Sequence, residues 1–319
     1  MTTEGFNWLR LALQWRGSVA PIIFPRVLLC GLFGLLISLF AYSGLSISGN
    51  ILDNLVANVV YNLVLGLLLV FRTNTAYERF WEGRKCLGIL VVAVRNLARQ
   101  IWVGVATPEA IDKENKIAIM RMLGSFAIAT KLHLRQEFAN GELEGMFTNS
   151  QYLKLKSVKN QPLELALWIG DYLQQQHDRN CLSSNQLQAM NLLLDHMIEA
   201  LTGCERILKT PIPLAYAIYL KRLLLIYCFA LPFQIVEKSG FWTGPIVATI
   251  AFILFGIEQI GNEIENPFGR DPNDLPLDDI CTSIVENIED MLLVVEAEST
   301  EPLEDKLAAV AELEALPVE

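Results

Sequence analysis

Leu63, Leu67 and Phe71 recur at every fourth position inside a long apolar stretch. At about 1.5 Å per residue, each step is roughly 6 Å along one helix face. The work such a stripe can do is exclusion. Several copies turned toward a common axis would stack apolar rings around a narrow passage through a membrane, too greasy to hold stable water. The plainer alternative is that the three side chains pack against neighbouring helices. Asn58 and Asn62 lie four residues apart just upstream. They either hydrogen-bond across helices, at about 1 kcal/mol or less in a membrane, or line a vestibule before the stripe. Downstream, Arg72, Glu78, Arg79, Glu82 and Arg84 alternate in sign. That pattern suits a salt-bridged helix surface between subunits. Arginines left unpaired on the axis would instead attract anions.

Side chains that build conventional active sites are sparse. The three histidines, His133, His177 and His196, have no metal-binding partner at i+3 or i+4. The six cysteines (Cys30, Cys86, Cys181, Cys204, Cys228 and Cys281) form no CxxC pair, which argues against structural zinc or a disulfide framework. No phosphate-binding glycine loop, HExxH or GxSxG occurs. No catalytic residue is assigned, an enzyme is not expected, and neither is a nucleic-acid partner.

The elements that must position the stripe follow from composition. The chain has 319 residues, 52% hydrophobic and 19% charged, with a mean hydropathy of +0.35. That apolar excess, gathered in blocks, marks an integral membrane protein. The net charge of −10 is unevenly spread. Residues 263–319 hold 17 acidic and 2 basic side chains, which leaves the rest mildly basic at +5. Four stretches are near the roughly 20 residues a bilayer crossing needs: 27–45, 55–71, 214–236 and 241–260. Lys221 and Arg222 interrupt the third, where they face protein or water or snorkel to one end, and Pro232 is placed to kink it.

Arg10, Arg16 and Arg26 precede the first span, and Arg72, Arg79, Arg84 and Lys85 follow the second. The connection at 46–54 has no basic residue. The positive-inside rule therefore puts both termini and the central region 72–212 on the cytoplasmic side, or its equivalent in an internal membrane. The first residues, which carry an acid and a tryptophan, make a poor signal peptide. Helical periodicity continues through 88–102, 113–135, 162–176 and 184–208, with Ser183 or Ser184 as cap for the last. The expected fold is all-α: four transmembrane helices and a cytosolic helical region (72–212 and 261–298) in one unit over 1–298, then an acidic tail at 299–319.

Two motifs carry a family resemblance. The segment VFRTNTAYERFWEGRKCLG (70–88), with Arg79-Phe80-Trp81, resembles the signature after the neck of the bestrophin family, above all its bacterial and plant-chloroplast members. ENPFGRDPNDLPLDD (265–279) resembles the family's second signature, and GCERILKTPIP (203–213) its approach to the third span. The likeness runs from about residue 5 to 290. It implies a homopentameric, mostly anion-conducting channel with one pore on the five-fold axis. The second span would line that pore, with its neck at Leu63, Leu67 and Phe71.

The resemblance favours the pore reading of the stripe over plain packing. Chloride or other small monovalent anions, bicarbonate and nitrate included, would be the permeant partners, beside the lipid bilayer and copies of the chain itself. Selectivity stays open: a cation-permeable pore of the same fold is the alternative, and a non-conducting membrane scaffold is the rival from another class. The membrane is a plasma or thylakoid membrane. A second, cytosolic constriction belongs on the helix around 184–208, with Leu187 and Met190 as candidates. Animal relatives bind calcium at the matching acidic turn. Position by position, Asp271 and Asp274 match ligands there, while Arg270 and Pro272 replace acids. Calcium therefore stands beside a structural reading, in which Asp274 or Asp278 caps the helix starting near Pro276.

Overall fold

Prolines set where the first helix begins. In the computed structural model, which describes residues 14–43 and 56–300 with side chains to 293, α1 runs Ala20–Tyr42. Pro21 occupies its first turn, where a missing N–H costs nothing. Helix α1 therefore starts seven residues before the apolar window at 27–45. The connection at 46–54, Arg10 and nearly all of the acidic tail lie outside the described residues.

Beyond α1 the order is α2 (Val59–Gly104), α3 (Ala110–Leu134), α4 (Gly141–Glu144), α5 (Asn149–Ser157), α6 (Gln161–Asp178), α7 (Ser184–Lys209), α8 (Leu214–Ser239), α9 (Thr243–Glu265) and α10 (Leu277–Thr300). Among the described residues there is no β-strand. The span expected at 55–71, from Val59 on, and the helical pattern expected through 88–102 belong to one unbroken 46-residue helix, because no glycine pair or proline interrupts it. Ser183 caps α7 as expected. Its hydroxyl accepts from the Gln186 amide while Gln186 Oε1 accepts from the Ser183 amide. Helix α5 goes beyond the sequence reading and starts with the same reciprocal pair, Thr148 and Gln151.

The described residues fall into two compact units, divided at Arg84/Lys85, Arg206/Ile207 and Leu275/Pro276. The first holds α1, the start of α2, α8 and α9 around Ile23, Val27, Leu65, Leu69, Leu220, Leu224, Ala251 and Phe255. Helices α1 and α9 approach closely at glycines. A Cβ built on Gly244 would sit 2.4 Å from Leu35 Cγ and 2.9 Å from the Gly31 carbonyl. Small residues allow that contact between helices that have little hydrophobic drive to associate in lipid.

The second unit is built on α3, with 16 of its 25 residues buried. Like α1, the start of α2 and the α8–α9 pair, α3 is long and apolar enough to cross a membrane, but 78% of its most apolar window is covered by protein. It is a core helix, packed with Leu97, Ile101, Leu165, Met197 and Ile284. Asp278 joins α10 to the end of α3. Its carboxylate accepts from Lys131 Nζ at 3.0 Å and from Arg135 Nη2 at 2.8 Å. These two cations hold the Asp278 carboxyl well below the usual carboxylate range. The expected capping role of Asp278 is thus replaced by an ion pair with side chains some 140 positions away in sequence.

Candidate pore-lining helix and its anchors

The first four turns of α2 have two opposed faces. Leu65, Leu69, Arg72 and Ala76 are buried within the first unit. At about 100° per residue they occupy one narrow arc. Leu63, Leu67 and Phe71 lie roughly 130–170° from the centre of that arc, and they are 60%, 46% and 59% exposed. The chain's own core therefore does not use the stripe, so the plain packing alternative fails within one subunit. Asn74 and Glu78 extend the exposed face with polar groups.

The two asparagines act on the helix start. Asn58 Oδ1 accepts from the Val60 amide at 2.8 Å, and Asn62 Nδ2 donates to the Val56 and Asn58 carbonyls at 2.7 and 3.1 Å. Both residues are exposed, and their bonds close the first turn of α2 instead of reaching another helix.

Arg72 and Arg79, after the stripe, are anchors within the subunit. Arg72 is 3% exposed. Its Nη2 donates to Asn262 Oδ1 and, at 3.0 Å, to Glu265 Oε2 on α9. The other Glu265 oxygen accepts from the Ile212 amide at 2.9 Å. Arg79 gives Nε to the Glu265 carbonyl at 3.0 Å, Nη2 to the Ile207 carbonyl at 2.6 Å and Nη1 to the Thr210 carbonyl. A guanidinium suits the end of α7, where carbonyls lack helical partners. Charge alternation alone pointed to a surface between subunits. The partners lie instead within the same chain, 128 to 193 residues away.

The two signature motifs meet. A Cβ on Gly83 would lie 3.1 Å from Phe268 Cζ and 3.3 Å from Pro267 Cγ, and Phe268 is fully buried. In the turn that follows, Asp274 Oδ2 accepts from the Asp271 amide at 2.7 Å. The Asp274 amide in turn donates to the Asp271 carbonyl, and the Leu275 amide to the Pro267 carbonyl. The Asp274 carboxylate thus closes its own turn. Glu263 is held by Asn273. Calcium wants six to eight oxygens, and no group of three or more acidic, histidine or cysteine side chains converges among the described residues.

On α7 the sequence candidates for a second constriction separate. Met190 is 1% exposed and belongs to the core beside Gly104, so it offers nothing to a lumen. Leu187 is half-buried. Leu192, which sequence reasoning missed, is 56% exposed among Asn185, Gln188 and Asp195 on the polar face of the helix. The signal was present: Leu192 breaks the 187, 190, 194, 197, 201 spacing of the core positions. Two histidines are structural. His133 Nε2 meets Glu205 at 2.7 Å, and His177 Nδ1 meets the Leu182 carbonyl at 2.9 Å. All six cysteines are free thiols.

Residues 1–290 match the family described as Bacterial/Fungal Bestrophin protein. The chain belongs to the bestrophin family. A relative from Nostoc sp., named a voltage-dependent anion channel-forming protein, is 55% identical over 91% of this chain and 94% of that protein. One of the same name from Synechocystis sp. is 52% identical over 89% and 92%. The Escherichia coli protein YneE, also so named, is 31% identical over 87% and 89%. Among solved structures, a bacterial bestrophin homolog from Klebsiella pneumoniae superposes with a TM-score of 0.72 at 27% identity, covering 84% of this chain and 98% of that one. With its apolar spanning helices, this bestrophin is an integral membrane protein.

Proposed function

We propose that this bestrophin is a passive channel for chloride or other small monovalent anions, assembled as a homopentamer with α2 lining the axis and Leu63, Leu67 and Phe71 as its neck. The observation that carries the reading is the exposed stripe itself. It lies on the face of α2 opposite the arc that Arg72 and the core lock into the subunit. The relatives at 55% and 52% identity bear names that describe anion channel formation. Three apolar rings would gate by dewetting. A Phe71 ring edge, positive in its quadrupole, would favour a passing anion. Leu192 on α7 supplies a second, cytosolic ring, and Asn58 and Asn62 stand at the outer mouth. The work is conduction and not catalysis. The protein sits in a plasma or thylakoid membrane with both termini on the cytoplasmic side, a placement supported by the basic residues around the spans.

Purified protein in a planar bilayer under opposed chloride and sodium gradients tests this. The reversal potential should follow chloride. A potential that follows sodium would make it a cation pore, and silence at every voltage would leave a scaffold.

A further inference from the structure

At the end of the membrane unit where α1 and α8 begin and α9 ends, a groove of about 270 Å³ opens between the three helices. Its walls are Leu29, Leu225 and Phe255, and its mouth carries Arg26 and Lys221. Both cations are more than half exposed. Between them lies one carboxylate, Glu258, which is 2% exposed. Arg26 Nη1 is 4.0 Å from Glu258 Oε2, and Lys221 Nζ is 3.9 Å from Oε1. At those separations neither pair is a hydrogen bond. Oε1 already accepts from Asn262 Nδ2 at 2.7 Å. Two cations over one carboxylate leave the mouth with a surplus positive charge beside an apolar floor.

We propose that this groove binds one anionic phospholipid, with its phosphodiester between Arg26 and Lys221 and the head of an acyl chain against Leu29, Leu225 and Phe255. Depth agrees. Sixteen residues of α1 lie beyond Arg26, roughly 24 Å of helix, against a hydrocarbon core of about 30 Å. Arg26 therefore lies within about one turn of the headgroup level, a gap its long side chain spans by snorkelling. The guanidinium fork suits phosphate oxygens, and the lysine adds a point charge. Basic pockets between helices at this level are suited to anionic headgroups. A zwitterionic lipid would bring its own cation against the surplus, and a free inorganic anion would not use the apolar floor. The inference rests on the membrane placement of these helices and is independent of ion flow.

Native mass spectrometry of the full-length assembly, released from detergent containing phosphatidylglycerol or phosphatidylcholine, tests it. Wild type should retain phosphatidylglycerol about fivefold more than phosphatidylcholine, from about 1 kcal/mol of headgroup attraction. The double variant Arg26→Gln, Lys221→Gln should lose that preference. Leu29→Trp, which fills the groove and leaves the charges, should retain less of either lipid. Arg222→Gln, on the same turn but outside the groove, should behave as wild type. The assembly mass in each spectrum reports folding, and if the charge variant fails to assemble, Leu29→Trp decides. Equal retention of the two lipids, a preference that survives both variants, or full displacement by soluble glycerol phosphate overturns the proposal. So does wild type without bound lipid, which would mean that a neighbouring copy covers the groove.

Discussion

Arg72 and Glu265 meet at 3.0 Å directly behind the face of α2 that carries Phe71. The carboxylate is divided: one oxygen takes Arg72 and the other the Ile212 amide, while the Glu265 carbonyl takes Arg79. A single α9 residue thus fixes the rotation of α2 and the start of α8. Rotation matters because α2 carries opposed faces, and a turn of half a helix would swap Leu65 for Leu63. Arg72→Ala should cost about 1–3 kcal/mol, since it leaves one oxygen each of the half-buried Asn262 and Glu265 without its donor. Thermal unfolding in detergent should read a large drop, smaller for Arg72→Lys, which keeps the charge and loses the fork. An unchanged midpoint for Arg72→Ala would remove the anchor from the account.

The same geometry separates the exposed stripe from the core on neighbouring residues. Leu67→Ala and Phe71→Ala should change single-channel conductance or gating severalfold and leave the unfolding midpoint nearly still. Leu65→Ala, at a buried position, should do the reverse, with about 2–5 kcal/mol lost to an unfilled cavity and an unaltered reversal potential. If Leu65→Ala changes selectivity while Leu67→Ala is silent, the neck is on the other face.

Parts of this arrangement were legible from the sequence for identifiable reasons. Four-residue spacing marks a helix face whatever lies opposite it, so Leu63, Leu67 and Phe71 stood out. Gly83 and Phe268, one in each recognisable motif, lie in close contact. What failed was long-range. The partners of Arg72 and Arg79 are 128 to 193 residues away, and no local charge pattern encodes them. In the run Leu192-Leu193-Leu194 three consecutive apolar residues blur the phase of α7, and the family resemblance carries no motif there that separates Leu192 from Leu187 and Met190. Hydropathy places the start of α1 late because it gives no weight to Pro21, which suits a first turn.

Acid should weaken the second unit through Asp278. Lys131 and Arg135 depress its folded pKa below the unfolded value of about 3.9. Its contribution is therefore complete above that value and is lost as pH falls toward the folded pKa. Urea midpoints should decline between about pH 5 and pH 2 more steeply for wild type than for Asp278→Asn. Parallel profiles for the two proteins would detach Asp278 from acid sensitivity.

The turn at 269–275 makes opposite predictions for metal and for packing. Its Asp274 oxygen is committed to the Asp271 amide, so adding or chelating calcium should leave open probability and unfolding temperature unchanged. Glycine at 269 is a different matter. A Cβ there would lie 2.6 Å from Asp274 Oδ2, closer than real Cβ contacts come, so Gly269→Ala must push the carboxylate off the amide. The displaced group leaves a strained, half-buried turn beside Phe268, at about 1–3 kcal/mol. Unfolding of Gly269→Ala, with and without a chelator, should show a lowered midpoint that calcium does not restore. Recovery by calcium would mean that the carboxylates hold metal after all, and that the turn's own hydrogen bonds are the minor term.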